Sequence, residues 1–200
     1  MTGEPLTALV LTGGRSSRMG QNKALLNLTP GGPSLIELVV ARLADVASET
    51  VLVGTETAPY DFLGLRHVPD LYPNAGSLGG IYSGLQAAKY PYALAVACDM
   101  PFLSPDLLRY MASVPREYDV LLPVIDEPEP LHAIYSQLCL PWMEEKIDAR
   151  RYKIIGWFDK AKVQKIERHT IERYDPHCRS FFNVNTPEEW ERARETTLHE

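Results

Sequence analysis

The sequence predicts an α/β fold in which a mostly parallel, twisted sheet carries helices on both faces. Three observations predict it. Short strand-like runs at 5–12, 51–53, 66–68 and 92–98 are interleaved with segments whose apolar residues recur at helical spacing, the signature of βαβ units. The run 92–98 is continuously apolar, as expected of a strand covered on both faces. Finally, these runs stop at Gly13, Gly54, Asp70 and Asp99, and open α/β sheets bind ligands beyond the carboxyl ends of their strands.

Residues 5–12 form the first strand. Its apolar character ends abruptly in LTGGRSSRMGQNK, residues 11–23. Gly13 and Gly14 admit positive φ and let backbone N–H groups approach an anion, while Arg15, Arg18 and Lys23 bring three positive charges to it. This predicts a phosphate cradle with a triphosphate as guest. Both the Gly-Lys-Ser/Thr of a P-loop and the Gly-x-Gly-x-x-Gly of dinucleotide folds are absent from it, so it is a different nucleotide loop.

A short extended piece is expected at 24–28, then a turn at 29–33. Ser34 with Glu37 makes a capping box, and Leu35, Leu38, Val39, Arg42, Leu43 and Val46 recur as the apolar face of a helix of about four turns. Strands at 51–53 and 66–68 follow. Ser77-Leu78-Gly79-Gly80 opens a second helix, whose glycine-rich start offers free N–H groups and the positive dipole end to an anion or a polar base edge. After the strand at 92–98, Ser104-Pro105 supplies an N-cap and an N1 proline. Strands are expected at 119–125 and 131–135, joined by the acidic, proline-rich loop 126–130, and helices at 138–147 and 152–158. An alternating edge strand at 162–166, a last short strand at 181–185 and a helix capped by Thr186-Pro187-Glu188-Glu189 complete the chain. The expectation is one Rossmann-like, three-layer domain spanning residues 1–200, with an antiparallel edge part.

Two hundred residues, 45% apolar and 23% charged, suffice for a core that buries roughly 70% of the unfolded surface. No apolar run reaches the ~18 residues that span a bilayer, and the start lacks the basic n-region of a signal peptide, which predicts a cytoplasmic protein without membrane partners. Cys98, Cys139 and Cys178 are far apart and form no Cys-x-x-Cys pair, so reduced thiols are expected rather than disulfides or zinc. A net charge of −6 argues against nucleic-acid binding, which requires clustered Lys and Arg.

LTGGRSSRMGQNK, SLGGIYSGL, ACDMP and NVNTPEE, in this order and at these separations, resemble the molybdenum cofactor guanylyltransferases, a family of the nucleotidyltransferase superfamily. The resemblance covers nearly the whole chain. It implies transfer of GMP from Mg-GTP to the phosphate of molybdopterin or Mo-molybdopterin, with release of pyrophosphate, and it implies partner proteins that deliver the acceptor and receive the product. Carried over by position, Leu11, Thr12 and Gly13 hold the nucleotide, Lys23 its phosphates, Asp70 the nucleoside and Asp99 the Mg2+, while Asn183 and Asn185 approach the pterin substrate. Gly14, Gly79 and Gly80 join the nucleotide-binding set through their backbone. Two letters depart from the family pattern: Asn22 stands where Asp usually precedes the lysine, and Gly54 or Thr55 where Asn often follows the second strand.

The implied chemistry suits these residues. The nucleophile is a phosphate monoester with a second pKa of about 6, already ionised at neutral pH, so no general base is required. Positioning and charge neutralisation are required instead. Lys23, Arg18 and Arg15 supply positive charge, and Asp99 at a strand end suits Mg2+, which is usually held by one or two carboxylates plus substrate phosphates. His132 reads as a core or pocket-wall residue; Arg150, Arg151, Lys153, Lys160, Lys162, Lys165 and Arg168 are candidates to meet the acceptor's phosphate. If the chain is active, Asp99→Ala is expected to abolish pyrophosphate release while Asn22→Ala costs little of it. Two alternatives stay open. A cytidylyltransferase acting on the same cofactor resembles Ala-Ala-Gly where this chain has Gly-Gly, and a catalytically silent nucleotide-binding paralogue would account for Asn22.

Overall fold

The computed structural model describes residues 4–13, 22–56 and 58–198. Seven strands form one sheet: β1 (Thr7–Leu11), β2 (Glu49–Val53), β3 (Arg66–Val68), β4 (Tyr92–Ala97), β5 (Val120–Val124), β6 (His132–Ser136) and β7 (Val163–Glu167). Their spatial order is β3-β2-β1-β4-β6-β5-β7. The strands β1 to β4 run parallel, β6 pairs antiparallel with both β4 and β5, and β7 runs parallel to β5 at the edge. The antiparallel part expected from the sequence is thus β6, placed on the β7 side of the sheet.

Alternation along β1 separates the two covering layers. Ala8 and Val10 face α1 (Leu35–Leu43) and α3 (Pro105–Ser113), packing with Ile36, Val39, Leu43, Leu107 and Met111. Leu9 and Leu11 face α2 (Ser77–Ala87) and α4 (Leu140–Asp148), packing with Leu78, Ile81, Leu85 and Met143. All five β1 residues are buried, the expected state of a central parallel strand. The result is a helix–sheet–helix sandwich, completed by α5 (Arg168–Ile171) and α6 (Pro187–Leu198). Among the described residues no helix is long and apolar enough to cross a membrane.

Several boundaries differ from the expectations. Residues 23–25 are a 3-10 turn rather than an extended piece, because Asn22 Oδ1 accepts from Ala24 N–H and starts a helical bend; only Asn27 forms a bridge, to Ser34. The α1 helix has its capping box, with Glu37 Oε2 accepting from Ser34 N–H at 2.7 Å, but it stops at Leu43, whose carbonyl collects both Val46 and Ala47 N–H in a tight turn. Residues 154–160 are 3-10 rather than α-helical. The strand expected at 181–185 does not form: Phe181 closes a 3-10 turn, and residues 182–185 form no ladder, although Val184 N–H donates to the carbonyl of Asp99, just past the end of β4, at 2.9 Å.

Candidate active site

The register aligns Leu11 with Val53 on one side and with Ala97 on the other, so the carboxyl ends of β1, β2 and β4 open onto one rim. Two cavities lie along it. The first, about 440 Å³, is lined by Leu11, Gly13, Val53, Thr55, Asp70 and Gly80. The second, about 340 Å³, is lined by Thr12, Lys23, Cys98, Asp99, Asn183 and Asn185. Leu11, Gly13 and Ser77 border both, so the two are halves of one cleft divided by the end of β1.

Gly13 is open where a Cβ would stand, leaving its backbone accessible, and its φ is not positive. The left-handed freedom expected at Gly13 is used instead at Gly76, with φ 58° at the N-cap of α2. Gly14, Arg15 and Arg18 lie outside the described residues. Thr12 does not offer its hydroxyl to the cleft: Oγ1 donates to the Val53 carbonyl at 3.1 Å and clamps β1 to β2. A Cβ on Gly54 would stand 2.3 Å from that same Oγ1. The clamp therefore excludes a side chain at 54, and Thr55 is the residue that reaches the cavity.

Asp70 presents one oxygen to the cavity. Its Oδ1 accepts from Tyr72 N–H at 2.9 Å and from Ser83 Oγ at 3.3 Å, which fixes the carboxylate and leaves Oδ2 on the Gly80 side. The two glycines of α2 divide their roles. At Gly79 a Cβ would meet the Tyr72 carbonyl at 2.4 Å, so this glycine permits close packing; Gly80 borders the cavity. Their N–H groups both return to the Gly76 carbonyl. The first-turn donors left for a ligand belong to Ser77 and Leu78, not to Gly79 and Gly80.

Lys23 lines the second cavity. Its ammonium donates to Asp99 Oδ2 and, at 2.7 Å, to Asn185 Oδ1, so a carboxylate and an amide oxygen converge on one cation. Asp99 Oδ1 is buried without a hydrogen-bond partner. An unpaired carboxylate oxygen at such depth costs about 1–3 kcal/mol or more, and a hard cation with oxygen ligands relieves it. These donors therefore fit a divalent ion held by Asp99, with the Asn185 amide oxygen at hand and substrate phosphates filling the remaining positions. Among the described residues no group of three or more His, Cys, Asp and Glu gathers, so a cage made by the protein alone is not what is built here.

The Asn residues are placed by α6 and its cap. Glu189 Oε2 accepts from Asn185 N–H at 2.7 Å and Thr186 N–H at 3.0 Å, and Thr186 Oγ1 accepts from Glu189 N–H. Asn183 Nδ2 donates to the Phe181 carbonyl at 3.1 Å. Cys98 lines the cavity as well, but burial pushes its thiol up to about 12, which keeps it protonated and inert.

Comparison with known proteins identifies the family. Residues 8–163 match the model of the MobA-like NTP transferase domain. The chain belongs to the MobA-like NTP transferase family. A family relative from Pelotomaculum thermopropionicum, named probable molybdenum cofactor guanylyltransferase, is 39% identical over 189 residues, covering 94% of this chain and 91% of its own. Another, the molybdenum cofactor guanylyltransferase of Desulfosudis oleivorans, is 35% identical over 195 residues, 95% of both chains. The crystal structure of molybdopterin-guanine dinucleotide biosynthesis protein A from Archaeoglobus fulgidus superposes with a TM-score of 0.83 at 28% identity, covering 97% of this chain and all of that one.

In this MobA-like chain the cleft brings together Leu11, Thr12, Gly13, Lys23, Asp70, Gly80, Asp99, Asn183 and Asn185. His132 is fully buried beside Phe181, with ring centroids 4.8 Å apart, and burial pushes it down to about 4; it is a core residue. Of the basic residues considered for the acceptor, Lys160 pairs with Glu145 at 2.5 Å and Arg168 with Asp126 at 2.8 Å. Sequence reasoning missed Tyr60. It is 3% exposed, and its hydroxyl receives Asn22 Nδ2 at 3.0 Å, thereby holding the residue that caps the Lys23 turn. Nothing local marked it, since the two are 38 positions apart.

Proposed function

We propose that this chain is a single nucleotidyltransferase domain over residues 1–200 that transfers GMP from Mg-GTP to the phosphate of molybdopterin. An acceptor phosphate oxygen bonds to the α-phosphorus, the bond from that phosphorus to the β-phosphate bridge breaks, and pyrophosphate leaves. The observation that carries this reading is the Lys23, Asp99 and Asn185 cluster, with its orphaned Asp99 Oδ1, on the border of a nucleoside-sized cavity. Asp70 Oδ2 and Thr55 meet the nucleoside, Leu11, Thr12 and Gly13 line its path, and Gly14, Gly79 and Gly80 contribute by allowing close backbone approach. Lys23, with Arg18, neutralises the triphosphate and the leaving pyrophosphate. Asn183 and Asn185 face the acceptor.

Mg2+, when bound, supplies charge neutralisation on the phosphates. Asp99 is the residue that would hold it. No residue is required as a base, since the acceptor phosphate is ionised at neutral pH; the inert Cys98 thiol and the absence of a His among the described cavity-lining residues accord with this. A cytoplasmic location and protein partners that hand over molybdopterin and take the dinucleotide belong to the same proposal.

The test is parallel titration of GTP and CTP with molybdopterin and Mg2+, reading pyrophosphate. GTP is the expected donor, and Asp99→Ala abolishes release. A preference for CTP defeats the guanylyl assignment, and a fully active Asp99→Ala protein defeats the metal assignment.

A further inference from the structure

A third cavity, of about 340 Å³, lies on the far side of the wall from the Lys23–Asp99 cluster. Phe102, Phe181, Phe182, Glu129, His177 and Arg179 are among the residues that line it. The wall is thin and made of two short pieces of chain. In the loop before β6, Glu129 faces this cavity while Leu131 faces the phosphate cavity; in the segment before α6, Phe181 and Phe182 face this cavity while Asn183 and Asn185 face the other. Both pieces are fixed. Glu129 N–H donates to the Pro123 carbonyl at 2.9 Å, His132 N–H to the Glu129 carbonyl at 3.0 Å, and Val184 N–H to the Asp99 carbonyl at 2.9 Å.

The lining has a specific chemistry. Phe102 and Phe182 approach with ring centroids 6.0 Å apart and remain partly exposed, so flat apolar faces are available. The Glu129 carboxylate is partly buried and has no hydrogen-bond or ion-pair partner among the described residues; burial alone raises its pKa. A carboxylate left so at an aromatic wall suits a planar heterocycle that offers two adjacent N–H donors, because one carboxylate accepts such a pair in parallel. The 2-amino-4-oxo edge of a pterin, with its ring N–H beside the exocyclic amine, is that kind of group.

We infer that the cavity formed by Glu129, Phe102, Phe181 and Phe182 is the subsite for the pterin ring of the acceptor, with Glu129 reading its amino edge and the 181–185 segment carrying the acceptor across the wall to Asn183, Asn185 and the reaction centre. This rests on the proposed reaction. The remaining large cavity, about 580 Å³ beside Tyr152 and Lys153, shares Asn74, Gly76 and Ser77 with the nucleoside cavity. Its carboxylate, Glu127, is exposed, and Tyr152 is the one aromatic ring among its described lining residues, so it answers the same requirements less well.

The test uses the full chain and the intrinsic fluorescence of 6-hydroxymethylpterin, with 6-hydroxymethyllumazine, which has oxygen in place of the 2-amino group, as the comparison ligand. Glu129→Gln keeps the shape but turns one acceptor into a donor, and it is expected to weaken the pterin by about tenfold or more while leaving the lumazine unchanged or tighter. Phe182→Leu weakens both; Tyr152→Ala affects neither. Equal pterin affinity in wild type and Glu129→Gln, or loss on Tyr152→Ala instead, overturns the subsite. Mg-GTP binding and pyrophosphate release with molybdopterin are read on the same proteins. An unchanged KM for molybdopterin in Glu129→Gln overturns the subsite while the transfer reaction stands. Absence of any transfer by wild type, with Glu129-dependent pterin binding retained, overturns the reaction and leaves the subsite standing.

Discussion

Replacing Asn22 by Ala removes two interactions at once, and the structure sets the scale of the loss. Asn22 Oδ1 caps the turn that carries Lys23 by accepting from Ala24 N–H at 3.2 Å, and Nδ2 donates to the Tyr60 hydroxyl at 3.0 Å. Loss of the cap costs about 1 kcal/mol. The Tyr60 hydroxyl then loses its partner beneath a ring that is 3% exposed, which costs about 1–3 kcal/mol more. The sum, about 3 kcal/mol, corresponds to a fall in Tm on the order of 5–10 °C for a chain of this length. The small loss of activity expected from the sequence concerned pyrophosphate release; the loss set by these contacts is one of stability. Denaturant unfolding of wild type, Asn22→Ala, Tyr60→Phe and the double variant measures the coupling directly. The double variant is expected to fall short of additivity by about 1 kcal/mol or more, because each single change strands the other partner. Additivity within about 0.5 kcal/mol refutes the argument. GTP affinity measured on the same proteins should fall with Asn22→Ala, since Lys23 then lies on an uncapped turn.

Two further outcomes follow from packing and burial. A Cβ on Gly84 would stand 2.8 Å from Val53 Cγ2 and 2.9 Å from Leu9 Cδ1, both in the core, so Gly84→Ala should destabilise by about 1–3 kcal/mol through overpacking, read as a lower urea midpoint with unchanged slope. His132 is held neutral, with a pKa of about 4 against an ordinary 6.5. The unfolded chain therefore binds the proton more readily, and the stability held above pH 6.5 drains as pH falls toward 4, by about 3 kcal/mol in all. His132→Leu should flatten that part of the stability profile, and an unchanged profile would count against a buried neutral imidazole.

The fold was legible because its signals are local. The apolar runs of β1 to β7, the Ser34–Glu37 box and the Thr186–Glu189 cap each depend on nearby residues, and these form. That Asp70 and Asp99 follow strands was legible for a related reason, since an apolar run ending at an aspartate is written in neighbouring letters, whereas Lys23 stood out only through the motif around it. What escaped depends on distant contacts. Residues 24–28 and 181–185 carry strand-like letters, but the first is bent by the Asn22 cap and the second reaches only the Asp99 carbonyl. Gly54 looked like a departure from the family pattern; its meaning is the Thr12 clamp. Tyr60 acts across the fold, on Asn22, and has no neighbour in sequence that betrays it.

The Lys23 ammonium and a divalent ion have the same claim on Asp99. In this structure Lys23 occupies Asp99 Oδ2 and Asn185 Oδ1, with only 20% and 9% of the Lys23 and Asp99 side chains exposed. A cation arriving at Asp99 Oδ1 without nucleotide competes with the Lys23 charge for the same carboxylate and gives the lysine no anion in exchange. A triphosphate arriving with it gives Lys23 a new partner, so the two ligands should bind with positive coupling, and the coupling is reciprocal. Lys23→Met removes the competitor. Without nucleotide it should bind Mn2+ about tenfold or more tightly than wild type, by the scale of a charge-assisted hydrogen bond, as read from the free-ion signal in electron paramagnetic resonance. With GTP present the order should reverse, because wild type alone retains the lysine for the phosphates. Equal Mn2+ affinity in the two nucleotide-free proteins would show that the lysine and the metal do not compete for the Asp99 carboxylate, and the exchange of Lys23 from carboxylate to triphosphate would then have to be abandoned as the step that prepares the cleft.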